Sequence, residues 1–392
     1  MKNNILPILS ILFLLVTINC KEKSNKKGID QNNMQTATTI SGIDIEDFNS
    51  IIDGEKVAAY VLRNENGMEA IFTNYGQRLI SLMTPDKEGD FDDVVLGFPT
   101  LDAYKNTKNY YGSVVGRYAN RIAKGKFSID GVIYDLAQNN NGNHLHGGTK
   151  GFESVVWNVD SVSTNFIRFS RHSSDMEEGY PGNLEVTVDY TLTDTNELKI
   201  EYEAITDKKT HVNLTHHSYF NLKGAGNGSI NDHVLQLNAS QITPVDPGLI
   251  PTGSFMDVAG TPFDFTSPKT IQEGLDGTHE QLDLGLGYDH NFVLDQDMKN
   301  DLGLTVAAII KDTTSGRVMK VITSEPGVQF YGGNFMDGSL IGKINKTYVH
   351  RGAFCLETQH FPNSPNQGNF PSTILEPGEQ YTSVCIYQFT TE

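Results

Sequence analysis

The chain has 392 residues, 38% of them hydrophobic and 20% charged, with 20 Phe and 16 Tyr, enough apolar material for a large packed core and too few charges for a disordered chain. Its formal net charge of −18 repels phosphate backbones and anionic lipid surfaces, which argues against nucleic acid as a partner. Length alone leaves open one large all-β unit or two ordinary domains.

In chain order, Lys2 precedes an apolar run from Ile5 to Ile18 that is too short for a membrane span of about 20 residues and fits the apolar region of an export signal. Cys20 follows it, and residues 20–45 are polar enough for a flexible tether. The pattern resembles a bacterial lipoprotein signal over 1–19 with Cys20 as the lipidated residue. It implies export to the periplasm or outer membrane, with plain secretion as the alternative and the lipid as the sole membrane contact. A single folded domain is expected over 46–392.

Within that domain helical patterns are scarce: Thr100 to Lys105 and a turn near Ile271 to Leu275 are the candidates. Alternation of period two marks strands at Leu184 to Tyr190, Leu198 to Ala204 and Val234 to Leu237. Further β-rich runs lie at Phe166 to Ser170, Leu304 to Ile310, Arg317 to Thr323 and Val384 to Phe389. With 37 glycines punctuating them, these segments predict an all-β fold of many antiparallel strands in a large sandwich or barrel. Cys355 and Cys385 sit in apolar strand-like runs and read as buried free thiols, with one bridge between them as the alternative. No Cys/His spacing suggests a structural zinc, and no metal or cofactor is expected.

Polar motifs interrupt the strands. Gly116-Arg117-Tyr118-Ala119-Asn120-Arg121-Ile122 carries two guanidinium groups that could grip vicinal hydroxyls or form structural ion pairs. In Asn143-His144-Leu145-His146-Gly147-Gly148 an extended backbone would turn both imidazoles to one side, and the glycines allow close approach. His217 in Thr215-His216-His217-Ser218-Tyr219-Phe220-Asn221 is either a satisfied core histidine or a general acid. Asp289 after Gly287-Tyr288 could accept sugar hydroxyls or make an Asx turn. Gln329 in Pro326-Gly327-Val328-Gln329-Phe330-Tyr331 could bind sugar or face solvent. Glu357 in Phe354-Cys355-Leu356-Glu357-Thr358-Gln359-His360-Phe361-Pro362 stands inside an apolar strand, where a carboxylate is paired or functional.

Taken together and in this order, the six motifs resemble the aldose 1-epimerase (galactose mutarotase) family from about Phe48 to Phe389. The resemblance implies a galactose mutarotase-like antiparallel supersandwich whose concave face binds an aldohexose. It implies Glu357 as base, His217 as acid, His146 as a stabilising hydrogen-bond donor, and Asn120, Arg121, Asp289 and Gln329 as sugar ligands. These roles need Glu357 ionised and His217 substantially protonated. A glycoside hydrolase using Asp289 and Glu357, or a non-catalytic sugar-binding lipoprotein, is the alternative; the second has no use for Glu357 together with His217.

Overall fold

The computed structural model describes Met1 and residues 39–107, 109–295, 299 and 302–392. The expected signal, Cys20 and most of the expected tether lie outside the described residues. Antiparallel strands dominate what is described. The largest sheet runs, in spatial order, Asn158–Val162, Phe166–Ser173, Leu184–Leu192, Glu197–Thr206, Tyr381–Thr391, Arg317–Thr323, Thr305–Lys311, Val234–Leu237 and Lys269–Thr270. Its alternation is that of a sheet with one face inward: Leu184, Val186, Val188, Tyr190 and Leu192 are buried, and the residues between them are not.

Two smaller sheets cover that inward face. One has five strands, in the order Met256–Asp257, Gln241–Thr243, Asp289–Val293, Gly327–Tyr331 and Cys355–Gln359; the other has four, Ala59–Arg63, Glu69–Thr73, Arg78–Pro85 and Phe91–Asp93. Val188, Ile200, Val321 and Tyr387 from the large sheet join one core with Phe292, Val328, Phe330 and Leu356 from the five-stranded sheet and Phe72, Leu79 and Leu82 from the four-stranded one. Each such side chain contributes about 1.5–3 kcal/mol on burial. The expected β-sandwich is the fold observed.

Helices are short. Leu101–Asn106 begins one residue later than its sequence signal because Thr100 is its cap, accepting from the Ala103 N–H at 3.3 Å. Ile271–Leu275 forms with a capping box between Thr270 and Glu273. Glu280–Gly285, not anticipated from the sequence, is capped by the imidazole of His279, whose Nδ1 accepts the Gln281 N–H at 3.1 Å. Residues 39–45, at the end of the stretch expected to be tether, pack onto the body. Ile43 is buried in a second cluster with Phe48, Ile71, Ile80 and Leu96, and the Ile40 N–H donates to Glu69 Oε1 at 2.9 Å. Cys355 and Cys385 are buried free thiols on different sheets.

One segment beyond the sheets matters for the site. After strand Gly327–Tyr331 the chain loops through residues 332–351, and a buried Lys343 ties it down. Its ammonium donates to the carbonyls of Ile80 (2.6 Å) and Val95 (2.8 Å) and to Asp93 Oδ2 (2.5 Å). Tyr348 joins in, donating to the Gly97 carbonyl at 2.5 Å. Removing a partner from a buried ion pair strands the other charge. Lys343→Met is therefore expected to cost about 3–5 kcal/mol in urea unfolding, whereas Lys346→Met, a half-buried side chain whose ammonium donates to Asn227 Oδ1, is expected to stay within about 0.5 kcal/mol of wild type.

Candidate active site

Three neighbouring strands bring the first set of polar groups together through their register. Asn291 pairs with Gln329 and Gln329 with Glu357; one step along, Asp289 pairs with Tyr331 and Tyr331 with Cys355. Since strand side chains alternate, the residues between these point the other way, and Phe292, Val328, Phe330 and Leu356 are in the core. Asp289 and Glu357 therefore share one face of the sheet. Gln329 Nε2 donates to Asp289 Oδ1 at 2.8 Å, and Arg121 Nη1 lies 3.7 Å from Asp289 Oδ2.

Arg121 arrives on the short strand Arg121–Ile122, paired with His144–Leu145. Beside it, Asn120 (φ 63°) and His146 (φ 52°) are both left-handed and hold each other. The Asn120 N–H donates to His146 Nδ1 at 3.1 Å, and the His146 N–H donates to the Asn120 carbonyl at 3.0 Å. Because Nδ1 accepts, the neutral ring carries its proton on Nε2. Gly147 is needed next to this turn, since a Cβ there would collide with the Gly116 carbonyl.

The left-handed turn also corrects the expectation that His144 and His146 face one way. His144 turns inward, its Nδ1 2.8 Å from the Ala137 carbonyl and its Nε2 2.8 Å from the Tyr180 hydroxyl. Arg117 is likewise structural: its guanidinium caps the carbonyls of Ser173, Ser174, Pro181 and Gly182 at 2.8–3.1 Å.

His217 comes from the strand Thr215–His217, paired with Ser113–Val115. Alternation sends His216 away, its Nδ1 3.0 Å from Ser218 Oγ, and turns His217 to the site, where its Nε2 is 3.5 Å from Glu357 Oε1. His146 meets the His217 ring edge-on at 5.2 Å between centroids. Asn120, Arg121, His146, His217, Asp289 and Glu357 all line one cavity of about 550 Å³, a size suited to a small polar ligand. Gln329 stands behind Asp289 and orients it. Tyr331, one of the aromatics after Gln329 that could stack on a sugar ring, lines the wall with Tyr110 and Tyr219, which the sequence marks only through the aromatic density of Asn109-Tyr110-Tyr111 and Ser218-Tyr219-Phe220.

Burial governs the electrostatics. It pushes the Glu357 carboxyl well above the usual range, reinforced by Asp289 and opposed by Arg121. It also pushes the His217 imidazole down to about 3. His146 is held well below its ordinary value by burial, then by His217 and Arg121. Burial thus favours the neutral pair, with the proton on the carboxyl, over the charge-separated form that the expected roles need. The two forms contain the same number of protons and differ by one transfer across the 3.5 Å contact. His146, His217 and Glu357 also have donor atoms within 4.8 Å of one another, the spacing of a metal site. The proton on His146 Nε2 occupies the lone pair a metal would need, and the Asn120 N–H blocks the other tautomer.

The fold and this cavity define a β-sandwich with an imidazole and a carboxyl in contact in a polar pocket. The aldose 1-epimerase family profile matches residues 58–388. Galactose mutarotase of Sus scrofa is 46% identical over 317 residues, 81% of this chain and 90% of its own; aldose 1-epimerase of Escherichia coli is 37% identical over 342 residues, 87% and 97% of the two chains. Among solved structures, an aldose epimerase homologue from C. elegans superposes with a TM-score of 0.79 at 31% identity, covering 86% of this chain and 99% of its own. A galactose 1-epimerase from Lactobacillus acidophilus superposes with a TM-score of 0.76 at 29% identity, covering 87% and 97%. This chain belongs to the aldose 1-epimerase family, isomerases that interconvert sugar anomers.

The raised Glu357 has a consequence for stability. A group whose folded pKa exceeds its unfolded value contributes fully below the unfolded pKa, near 4.5, and loses that contribution as pH rises through the folded value. Glu357→Gln, neutral at every pH, is expected to melt higher than wild type at pH 8 and to lose that advantage toward pH 4.5. Thermal melts across this range check the sign.

Proposed function

We propose that the cavity interconverts the α and β anomers of aldohexoses such as galactose and glucose, with Glu357 and His217 as the acid/base pair. The observation that carries the assignment is their 3.5 Å contact at the floor of a cavity whose wall holds the Arg121–Asp289–Gln329 array. Opening a pyranose requires removal of the C1 hydroxyl proton and delivery of a proton to the ring oxygen. In the charge-separated form the Glu357 carboxylate takes the first and the His217 imidazolium supplies the second, so that the C1–ring-oxygen bond breaks and the free aldehyde forms. Rotation about C1–C2 presents the other carbonyl face. Closure then runs the same transfers backward, returning each proton to its origin. The reaction is redox-neutral and consumes no co-reactant.

The remaining residues bind and polarise. Asp289, oriented by Gln329 and facing Arg121, accepts sugar hydroxyl protons, while Arg121 and the Asn120 amide donate. His146, with its proton on Nε2, donates to the ring-oxygen and C1 region, where charge develops. Sugar hydroxyls on Glu357 Oε2, which has no hydrogen-bond partner among the described residues, favour the ionised carboxylate once the site is filled. Neither a hydrolase nor a non-catalytic binding protein finds support among the relatives, and the acid/base pair has no purpose in the second.

Polarimetry on freshly dissolved α-D-galactose and α-D-glucose tests the reading. Wild type is expected to accelerate relaxation to the anomeric equilibrium, and folded Glu357→Gln and His217→Asn variants to lose about 10²–10⁴-fold in kcat. An unchanged spontaneous rate with both sugars and wild-type protein would sink the proposal.

The apolar run from Ile5 to Ile18 followed by Cys20 supports a further reading, that the protein is exported and lipid-anchored, equilibrating sugars outside the cytoplasm. In a membrane fractionation, wild type is expected with the membranes and Cys20→Ser in the soluble fraction; equal partitioning of the two would remove the anchor.

A further inference from the structure

Two tyrosine rings lie nearly parallel to the His217 ring. Tyr219 stacks on it at 4.9 Å between centroids and 8° between planes, and Tyr110 at 5.7 Å and 11°. Neither tyrosine is free to swing. Tyr219 is held edge-on by Tyr111 at 4.4 Å and by Tyr331 at 6.0 Å, and Tyr110 also meets the His146 ring at 4.6 Å. The loop carrying Tyr110 is fixed by buried Arg78, which donates to Asn109 Oδ1 at 3.0 Å, the Tyr111 carbonyl at 3.0 Å and the Asn109 carbonyl at 3.2 Å. A π face is electron-rich, so two of them stacked on one imidazole attract positive charge on it without offering a competing proton acceptor. Burial keeps all these phenols protonated by raising their pKa values.

On the acid/base reading above, we propose that Tyr110 and Tyr219 are positioning residues that clamp the His217 imidazole in the plane of its contact with Glu357 and stabilise, with their two π faces, the positive charge it carries during proton transfer. The charged and titratable groups around His217 are few. Glu357 is at 3.5 Å, His146 edge-on at 5.2 Å, and Arg78 and His216 lie beyond. Glu357 becomes anionic as it gives up its proton, so the imidazolium forms against a carboxylate at 3.5 Å, and the rings add to that ion pair. The geometry explains why a site that burial drives toward neutrality can still reach the charge-separated form.

The test keeps shape and changes charge. Position 219 is replaced by Phe and by ring-fluorinated phenylalanines of increasing fluorine content, which pack alike while the π face loses its negative character. Expected results are near-wild-type kcat for Phe, a graded fall totalling roughly tenfold with full fluorination, unchanged KM, and an acid limb of the pH–rate profile that moves to lower pH. NMR titration of His217 in the sugar-free protein gives a readout independent of turnover, its apparent pKa falling along the same series. Flat kcat and a flat His217 titration across the series, in an otherwise active enzyme, overturn the clamp and leave the acid/base reading standing. Absence of mutarotation in wild type would instead defeat the acid/base reading. Tyr110→Phe and Tyr110→Leu repeat the comparison on the second ring, with rescue by Phe and not by Leu expected; equal losses in both would assign the effect to the hydroxyl and overturn the clamp there.

Discussion

The register shared by strands Asp289–Val293, Gly327–Tyr331 and Cys355–Gln359 is the constraint on which the site depends. Alternation gives each strand two unlike faces, and one register aligns them, so that Glu357 and Gln329 lie side by side above a floor of Phe292, Val328, Phe330 and Leu356. A slip of one residue would exchange the faces, sending a carboxylate into the hydrocarbon core and a leucine into the cavity. The cost of burying that charge unpaired excludes the slipped arrangement. The apolar side of the sheet thus determines the geometry of the polar side.

That position comes with an electrostatic burden, which the surroundings divide. Asp289 and Arg121 face each other, and Gln329 satisfies a second carboxylate oxygen. At Glu357 and His217 burial is the largest influence and favours the neutral form of each, with Arg121 opposing it at the carboxyl. Neutrality lowers the standing cost of burial, and on the proposed mechanism sugar hydroxyls and aromatic faces stabilise the conversion to carboxylate and imidazolium. A site left exposed to solvent would hold its carboxylate ionised at all times, at the expense of the strong local interactions that low dielectric permits.

Much of the scaffold was legible in the sequence. Alternation at Leu184 to Tyr190 and Leu198 to Ala204 marks strands that extend to Leu184–Leu192 and Glu197–Thr206, and Val234–Leu237 and Arg317–Thr323 agree in both bounds. Residues of the six polar motifs come together, Gln329 and Glu357 at the centres of paired strands and Asn120 and His146 in left-handed turns beside them. What was not legible depends on neighbours distant in sequence or on unusual backbone. Arg117 and Arg121 are alike in sequence, yet Arg117 is consumed by carbonyls more than fifty residues away. His144 and His146 diverge because His146 is left-handed, which no residue but glycine announces. Tyr110 and Tyr219 become relevant through stacking alone, and aromatic residues in a β-protein are ordinarily core. Helix Glu280–Gly285 was hidden by a histidine cap, which lacks the usual hydroxyl or carboxylate signature.

The paired backbone bonds between Asn120 and His146 extend this reasoning to the division of work among the imidazoles. An N–H aimed at Nδ1 fixes the proton of His146 on Nε2, and burial beside His217 and Arg121 opposes any second proton. His146 is thereby confined to one state, a neutral donor facing the cavity. His217 Nδ1 has no hydrogen-bond partner among the described residues, and the ring sits against a carboxylate and stacks on two tyrosines. Two rings 5.2 Å apart in the same cavity thus differ in what touches their other edges. On the proposed mechanism this separates their work: His146 offers a hydrogen bond that does not change, and His217 a proton that leaves and returns, so that the ring oxygen is protonated in one direction and released in the other while charge around C1 is stabilised.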